Sequence, residues 1–205
     1  MATSEFKTLG DFLPTTWEGI IELIRSHQEK AGNFTKCESP IEHNFLHHFY
    51  KVESDDASIK PQADCQTRAG LFRLDFVLEI NGRKIGLECD GKHFHDKQRD
   101  EIRDAAILET GFVDVIYRVS GKSLWFSPYD VLDLLRLKEP DLISEHGGKL
   151  LKTIFELDKG RREDSWGDDF IVRALCEREE KEDGEPIYTY KSPRLIAIKW
   201  TTKTK

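Results

Sequence analysis

The chain has 205 residues, 38% of them hydrophobic, 34% charged and 10% aromatic, which suits one domain or one domain with an appendage. No apolar run approaches the roughly 20 residues needed to span a bilayer, and the opening MATSEFKTLGDFLP lacks the basic-then-apolar order of a signal peptide. Thirty-eight acidic against 31 basic residues leave a net charge of −7, which disfavours a simple electrostatic nucleic-acid binder unless a local basic patch or a metal offsets the acidity.

Residues 1–14 read as an irregular lead-in. Thr15-Thr16-Trp17-Glu18 has the form of a capping box and opens an amphipathic helix to about Lys30, with Trp17, Ile20, Ile21 and Ile24 inward. Ser39-Pro40-Ile41-Glu42 repeats that form with proline at the first helical position. It starts a second helix to about Val52, whose apolar stripe is Ile41, Phe45, Leu46 and Phe49. A short strand is expected near 59–66. LFRLDFVLEI and RKIGLECDG then flank Asn81-Gly82, the strongest short-range marker of a two-residue type I′ hairpin.

Lys97 to Thr110 reads as a helix stopped by Gly111, and Val113 to Val119 as a buried strand. Strand, helix, strand in that order is a crossover, so this strand should lie parallel to 83–90. Further helices are expected over 128–137 and within 141–158, the second weakened by Gly147-Gly148. Beyond them 170–176 and 187–200 read as strands separated by the acidic loop EREEKEDGE. Tyr188, Tyr190, Lys191, Arg194, Lys199 and Trp200 suit either a basic–aromatic face for a nucleic-acid strand or a solvated hairpin edge. The expected organisation is an N-terminal lead-in and helix packed on the core (1–38), an α/β core (39–160) and a β-rich extension (161–205). Cysteines 37, 65, 89 and 176 form no CxxC pair, which fits a reducing, cytoplasmic compartment rather than a disulfide framework or zinc ribbon.

The hairpin register carries the chemistry. With Ile80 opposite Arg83, stepping back along both strands sets Asp75 opposite Glu88 and Arg73 opposite Asp90. Alternation then assigns Phe72, Leu74, Phe76, Leu78, Ile85, Leu87 and Cys89 to a core face. Arg73, Asp75, Val77, Glu88 and Asp90 fall on the other face, where Gly86 leaves open space. Like charges directly opposite one another destabilise a strand pair. A divalent cation between them removes the repulsion, and hard carboxylate oxygens suit Mg²⁺ or Mn²⁺. The competing reading is a solvated acidic face diluted by Arg73 and Lys84.

Asp75, then Glu88-Cys89-Asp90-Gly91-Lys92-His93-Phe94-His95, then Arg99-Asp100 and Arg103-Asp104, resembles the PD-(D/E)xK nuclease superfamily. Within it the chain looks most like the branch related to very-short-patch-repair endonucleases, in which an R-x-D-F strand, here Arg73 to Phe76, precedes an E-x-D-G…F-H…R-D…R-D run. The likeness covers about residues 39–137. It implies an α/β fold with a restriction-endonuclease-like α-β-β-β-α-β core, a mixed sheet, an N-terminal helix and the C-terminal β-rich extension.

What the resemblance implies for function is a metal-dependent endonuclease acting on DNA, with RNA as the other substrate to test. Asp75, Glu88 and the backbone carbonyl of Cys89 would hold Mg²⁺ or Mn²⁺, which lowers the pKa of a water and neutralises charge on the phosphate. Glu42 matches the family's helical glutamate, although a capping-box glutamate needs no other explanation at that position. His95 matches the family's histidine and is the candidate for proton transfer. His93 does not match, and the H-x-H pair alone is weak evidence for zinc. Asp90 departs from the pattern, standing where the superfamily usually has lysine; it would bind a second metal or orient water. Lys92, Arg99 and Arg103 are the candidate phosphate contacts, while the arginine–aspartate repeat also reads as a ladder of surface ion pairs. Gln62 matches a family glutamine near the site. Expected partners are DNA and a second copy of the chain or a larger defence or repair complex, with no membrane. The alternative function is a nuclease-fold module that binds nucleic acid or regulates after losing cleavage, which the lysine-to-aspartate departure motivates.

Overall fold

The computed structural model describes residues 17–91 and 97–157, with short segments at 170–174, 178–180, 186–188 and 196–197. The chain divides into two compact units, residues 1–36 and 37–205. In the first, helix α1 (Trp17–Lys36) runs a turn and a half beyond the expected end, with Thr35 Oγ1 donating back to the Gly32 carbonyl at 2.7 Å. Thr15 and Thr16, the expected capping residues, lie outside the described residues.

The second unit begins as its sequence dictates. Ser39 caps α2 (Pro40–Phe49), its Oγ accepting the Glu42 amide at 3.2 Å, with Pro40 at the first helical position. The helix stops before Val52 because the chain turns there, the Val52 and Glu53 amides both bonding to the Phe49 carbonyl. Strands β1 (Ser58–Thr67), β2 (Gly70–Ile80) and β3 (Arg83–Asp90) form an antiparallel meander. Asn81 and Gly82 have φ of 52° and 76°, both positive as a type I′ turn requires, and Ile80 pairs with Arg83. Helix α3 (Lys97–Glu109) crosses to β4 (Val115–Ser120), which runs parallel to β3. The fold is therefore α/β with a mixed sheet.

Strand β4 is followed directly by α4 (Gly121–Phe126), a helix the sequence did not announce, capped by Ser120 Oγ on the Ser123 amide. Helix α5 (Pro128–Lys138), a single 3₁₀ turn (Pro140–Leu142) and α6 (Glu145–Leu157) complete this part. Strands β5 (Phe170–Ala174) and β8 (Ile196–Ala197) extend the sheet antiparallel beyond β4, giving the order β1-β2-β3-β4-β5-β8. Strands β6 (Arg178–Glu180) and β7 (Pro186–Tyr188) pair separately. The acidic stretch expected to be all loop thus contains β6, and among the described residues the strand expected over 187–200 is represented by β7 and β8. Among the described residues, no helix is long and apolar enough to cross a membrane.

Both faces of the sheet are covered, which corrects the single core face expected from strict alternation. Phe76 meets Phe45 of α2 with ring centroids 5.2 Å apart, and Phe45 stacks on Phe49. Leu74 and Val77, an odd number of residues apart, share a second cluster with Ala63, Cys65, Ile107, Leu108, Val113 and Ile116. Alternation therefore breaks between them. The break falls at Gln62 and Asp75, the one step missing from an otherwise constant β1–β2 ladder, where Gln62 adopts a φ of 50°. Gly86 faces no open space either. A Cβ there would lie 3.1 Å from Leu74 Cδ1 and 3.2 Å from Ile116 Cγ1, so glycine lets those side chains close over the strand.

The Gly147-Gly148 pair does not act as one weak point. A Cβ on Gly147 would fall 2.3 Å from the Val52 carbonyl oxygen, which already accepts the Ser144 amide at 2.9 Å. Gly148 has only Arg136 Cδ nearby, at 3.7 Å. The two alanine substitutions should therefore move stability in opposite directions. Gly147→Ala should cost about 2 kcal/mol by forcing α6 off the 50–53 turn. Gly148→Ala should add up to about 1 kcal/mol by restricting the unfolded chain and improving helix propensity. Urea unfolding of the two variants against the parent chain checks the pair.

Candidate active site

The break in β2 shapes the site. Beyond Phe76 against Leu87 the β2–β3 ladder ends, one step short of the expected pairing of Asp75 with Glu88. Asp75 instead turns its Oδ2 onto the Cys89 amide at 2.7 Å, so a side chain does the work of the missing ladder bond. Burial pushes the Asp75 carboxyl up to about 6, with Glu42 and Asp90 adding to the shift and the Cys89 amide and Arg103 opposing it. Glu88, only 4% exposed, is also raised, first by burial and then by the Asp75 charge, and these outweigh Arg103 and Arg118. The two carboxylates expected to meet at this end of the hairpin do sense one another.

Glu42 reaches the same place from α2. It is 5% exposed, and its Oε2 accepts the Glu38 amide at 2.9 Å and Gln62 Nε2 at 2.6 Å. Its own amide donates to Ser39 Oγ, but its carboxylate takes the Glu38 amide, one residue before the Ser39 amide that a capping box would use, and stands beside the acidic pair. Gln62 is explained by the same bond: its left-handed backbone, disfavoured for a residue with a Cβ, aims its amide at Glu42.

On the α3 side two arginines carry the compensating charge. Arg118 stands opposite Glu88 in the parallel β3–β4 register and is 2% exposed. It donates through Nε and Nη2 to both oxygens of the fully buried Asp104, at 2.7 and 2.9 Å, and through Nη1 to Asp90 at 2.8 Å. Asp100 lies 3.7 Å from the same Nη1. Burial works against the charged Arg118 guanidinium, but Asp104, Asp90 and Glu88 outweigh it and hold the proton more tightly than usual. Arg103 donates through Nη2 to Glu88 Oε1 and to the Arg73 carbonyl, the latter at 2.9 Å. The arginine–aspartate repeat of α3 is thus not a surface ladder at Arg103-Asp104, since both residues bind inward. Arg99 is exposed on the same helix, and Arg73 pairs at the surface with Glu38 at 2.7 Å. Lys92 and His95 lie outside the described residues.

Sequence reasoning missed Arg118, although the signal was present. An arginine within the apolar run of a buried strand must find anions, and the parallel register puts it beside Glu88. Cys89 and Cys37 flank the acidic group; burial and the surrounding carboxylates raise both thiols, Cys37 to about 11. Among the described residues, no three His, Cys, Asp or Glu side chains are grouped as a ready metal-binding set. The donor chemistry still fits a hard cation. Asp75 and Glu88 are oxygen donors that burial pushes toward protonation, Glu88 further so through the Asp75 charge, and a divalent cation would offset that negative charge. Comparison with family models, with curated proteins and with solved structures gave no match for this chain.

The raised carboxyls predict how stability depends on pH. Asp75 binds its proton more tightly folded than unfolded, so its ionisation costs stability above about pH 6, and the cost fades as pH falls toward 3.8. His48, packed 4.7 Å from Tyr129 and lowered to about 4 by burial, has the opposite slope and loses stability below 6.5. Asp75→Asn keeps an oxygen for the Cys89 amide and removes the charge. In chelator at pH 7.5 the variant should be more stable than the parent by about 2–3 kcal/mol. That gap should close below pH 4, as followed by thermal melts. Taking the difference between the two proteins cancels His48.

Proposed function

We propose that this chain is a divalent-metal-dependent endonuclease of the restriction-endonuclease-like fold, hydrolysing phosphodiester bonds in DNA. The observation that carries the reading is the carboxylate pair at the broken end of the β2–β3 hairpin, Asp75 half-buried on the Cys89 amide and Glu88 buried beside it. The element order from α2 through β4, helix, three strands, helix, parallel strand, supports it.

Asp75 and Glu88, with the Cys89 carbonyl, are the residues that would hold Mg²⁺ or Mn²⁺. Asp75 lies on β2 and Glu88 on β3, so the anionic oxygens come from two elements and neither strand alone carries the site. When bound, the cation lowers the pKa of water and offsets charge on the phosphate. Glu42 and Gln62 fix the wall on the α2 side. Asp90, held by Arg118, replaces the family's lysine with an acid whose orientation is set from β4. His95 is the proton-transfer group that the resemblance supplies. Arg103 is the arginine nearest the acidic pair and serves the phosphate.

A second reading is a module that binds nucleic acid without cutting it. The observation favouring it is that Asp90 and Glu88 are already engaged by arginines. Incubating the full chain with supercoiled plasmid, single-stranded DNA and RNA in Mg²⁺ or Mn²⁺ separates the two. Cleavage of DNA is expected, abolished in Asp75→Ala and Glu88→Ala and lowered about 10²–10³-fold in His95→Ala. DNA binding without any cleavage would select the lapsed module, and cleavage of RNA alone would reassign the substrate.

A further inference from the structure

The two arginines at the acidic pair are held in opposite ways. Arg118 is bonded through three nitrogens to Asp104 and Asp90, inside the sheet–α3 interface. Arg103 uses one nitrogen, Nη2, for both of its bonds, and 23% of its side chain is exposed. It arrives from α3, is more exposed than Glu88, and its charge also reaches Asp75.

We infer that Arg103 and a divalent cation are alternative partners of the Glu88 carboxylate, so that loading the cation releases the Arg103 guanidinium toward a bound phosphate. The inference rests on the nuclease reading and adds to it a coupling between metal and substrate. Glu88 Oε1 is the atom Arg103 occupies, and it belongs to one of the two carboxylates proposed to hold the cation. A guanidinium is weakly hydrated and singly charged, which makes it a workable counter-ion for a desolvated carboxylate. A hard divalent cation brings twice the charge to the same oxygens and to Asp75 as well. The Arg103 side chain is bonded through its tip alone and is partly exposed, so displacing it breaks two hydrogen bonds at one nitrogen. Arg118 has no such freedom, and its Asp104 partner is fully buried. One arginine is therefore fixed in the fold and the other is exchangeable.

Isothermal titration of the full chain with Mn²⁺ tests the exchange. Arg103→Gln should bind Mn²⁺ roughly tenfold more tightly than the parent. Arg103→Lys, which keeps a competing charge, should stay within about threefold of it. Arg73→Gln removes a charge from the neighbouring strand without touching Glu88, and should bind as the parent does. Equal affinity in the parent and Arg103→Gln, with binding lost in Glu88→Gln, overturns the exchange and leaves the nuclease reading standing. No Mn²⁺ binding by either protein at millimolar concentration overturns both. A second measurement needs no variant to fold: arginine side-chain ¹⁵N signals of the parent chain titrated with Mg²⁺. The Arg103 signal should move while that of Arg118 stays. A stationary Arg103 signal alongside shifting Glu88 and Cys89 amides contradicts the exchange.

Discussion

Buried negative charge is the constraint around which this structure is arranged. Glu42, Asp75, Glu88 and Asp90 converge near the C-terminal end of β3, and none is left to water alone. A buried carboxylate without a partner costs several kcal/mol, so each must be answered locally. The answers differ by side. Toward α2 they are neutral donors: the Glu38 amide and Gln62 for Glu42, and the Cys89 amide for Asp75. Toward α3 they are cations, Arg103 for Glu88 and Arg118 for Asp90. Neutral donors orient a carboxylate without cancelling its charge. The field of Asp75 therefore survives, and it adds to burial, the larger cause, in making Glu88 hold its proton more tightly than an ordinary glutamate.

The same constraint sets the position of α3. Arg118 and Asp104 form a two-pronged pair between β4 and the helix, entirely out of water. Such a pair contributes little net stability, but removing one member leaves a bare buried charge, so the helix has one acceptable register on the sheet. That register is also what places Arg103, one residue before Asp104, at Glu88. At the far end of the sheet Glu139 plays a comparable part. It accepts Tyr117 Oη at 2.7 Å and both Nε and Nη2 of Arg83, which ties the hairpin to the end of α5 away from the site. A change at Glu139 therefore loosens the sheet without altering the acidic group.

How much of this the sequence disclosed depends on how local each cause is. The turn at Asn81-Gly82, the cap at Ser39 and the parallel strand after α3 follow from residue types within a few positions, and all three are present. The register of the hairpin followed too, up to Phe76. It failed at Asp75 because the break has its cause in Gln62, a residue of another strand whose left-handed backbone has no sequence signal comparable to glycine. That is why Leu74 appeared to share a face with Phe76 and does not. Strand β6 was hidden for a related reason: an acidic run carries no β pattern, and pairing with β7 decided it. Gly147 was misread because the carbonyl it accommodates belongs to Val52, far away in the chain.

Chemistry at this site is narrowed by what surrounds the sulfur atoms. Cys37 and Cys89 lie beside the acidic residues, and a thiolate at either would add negative charge to a place already crowded with it. Burial and those carboxylates push both thiols upward, so neither is a nucleophile at neutral pH. A soft metal such as zinc, which prefers thiolate or imidazole, gains nothing from a thiol that keeps its proton. What the site offers is anionic oxygen. Under the proposed function, the net charge of −7 makes the same demand from the substrate's side. A polyanion approaching an acidic pair is repelled unless positive charge arrives with it or is released at the spot. A hard cation on Asp75 and Glu88, together with an arginine able to leave Glu88, meets that demand at one place and from residues a single hairpin and one helix bring together.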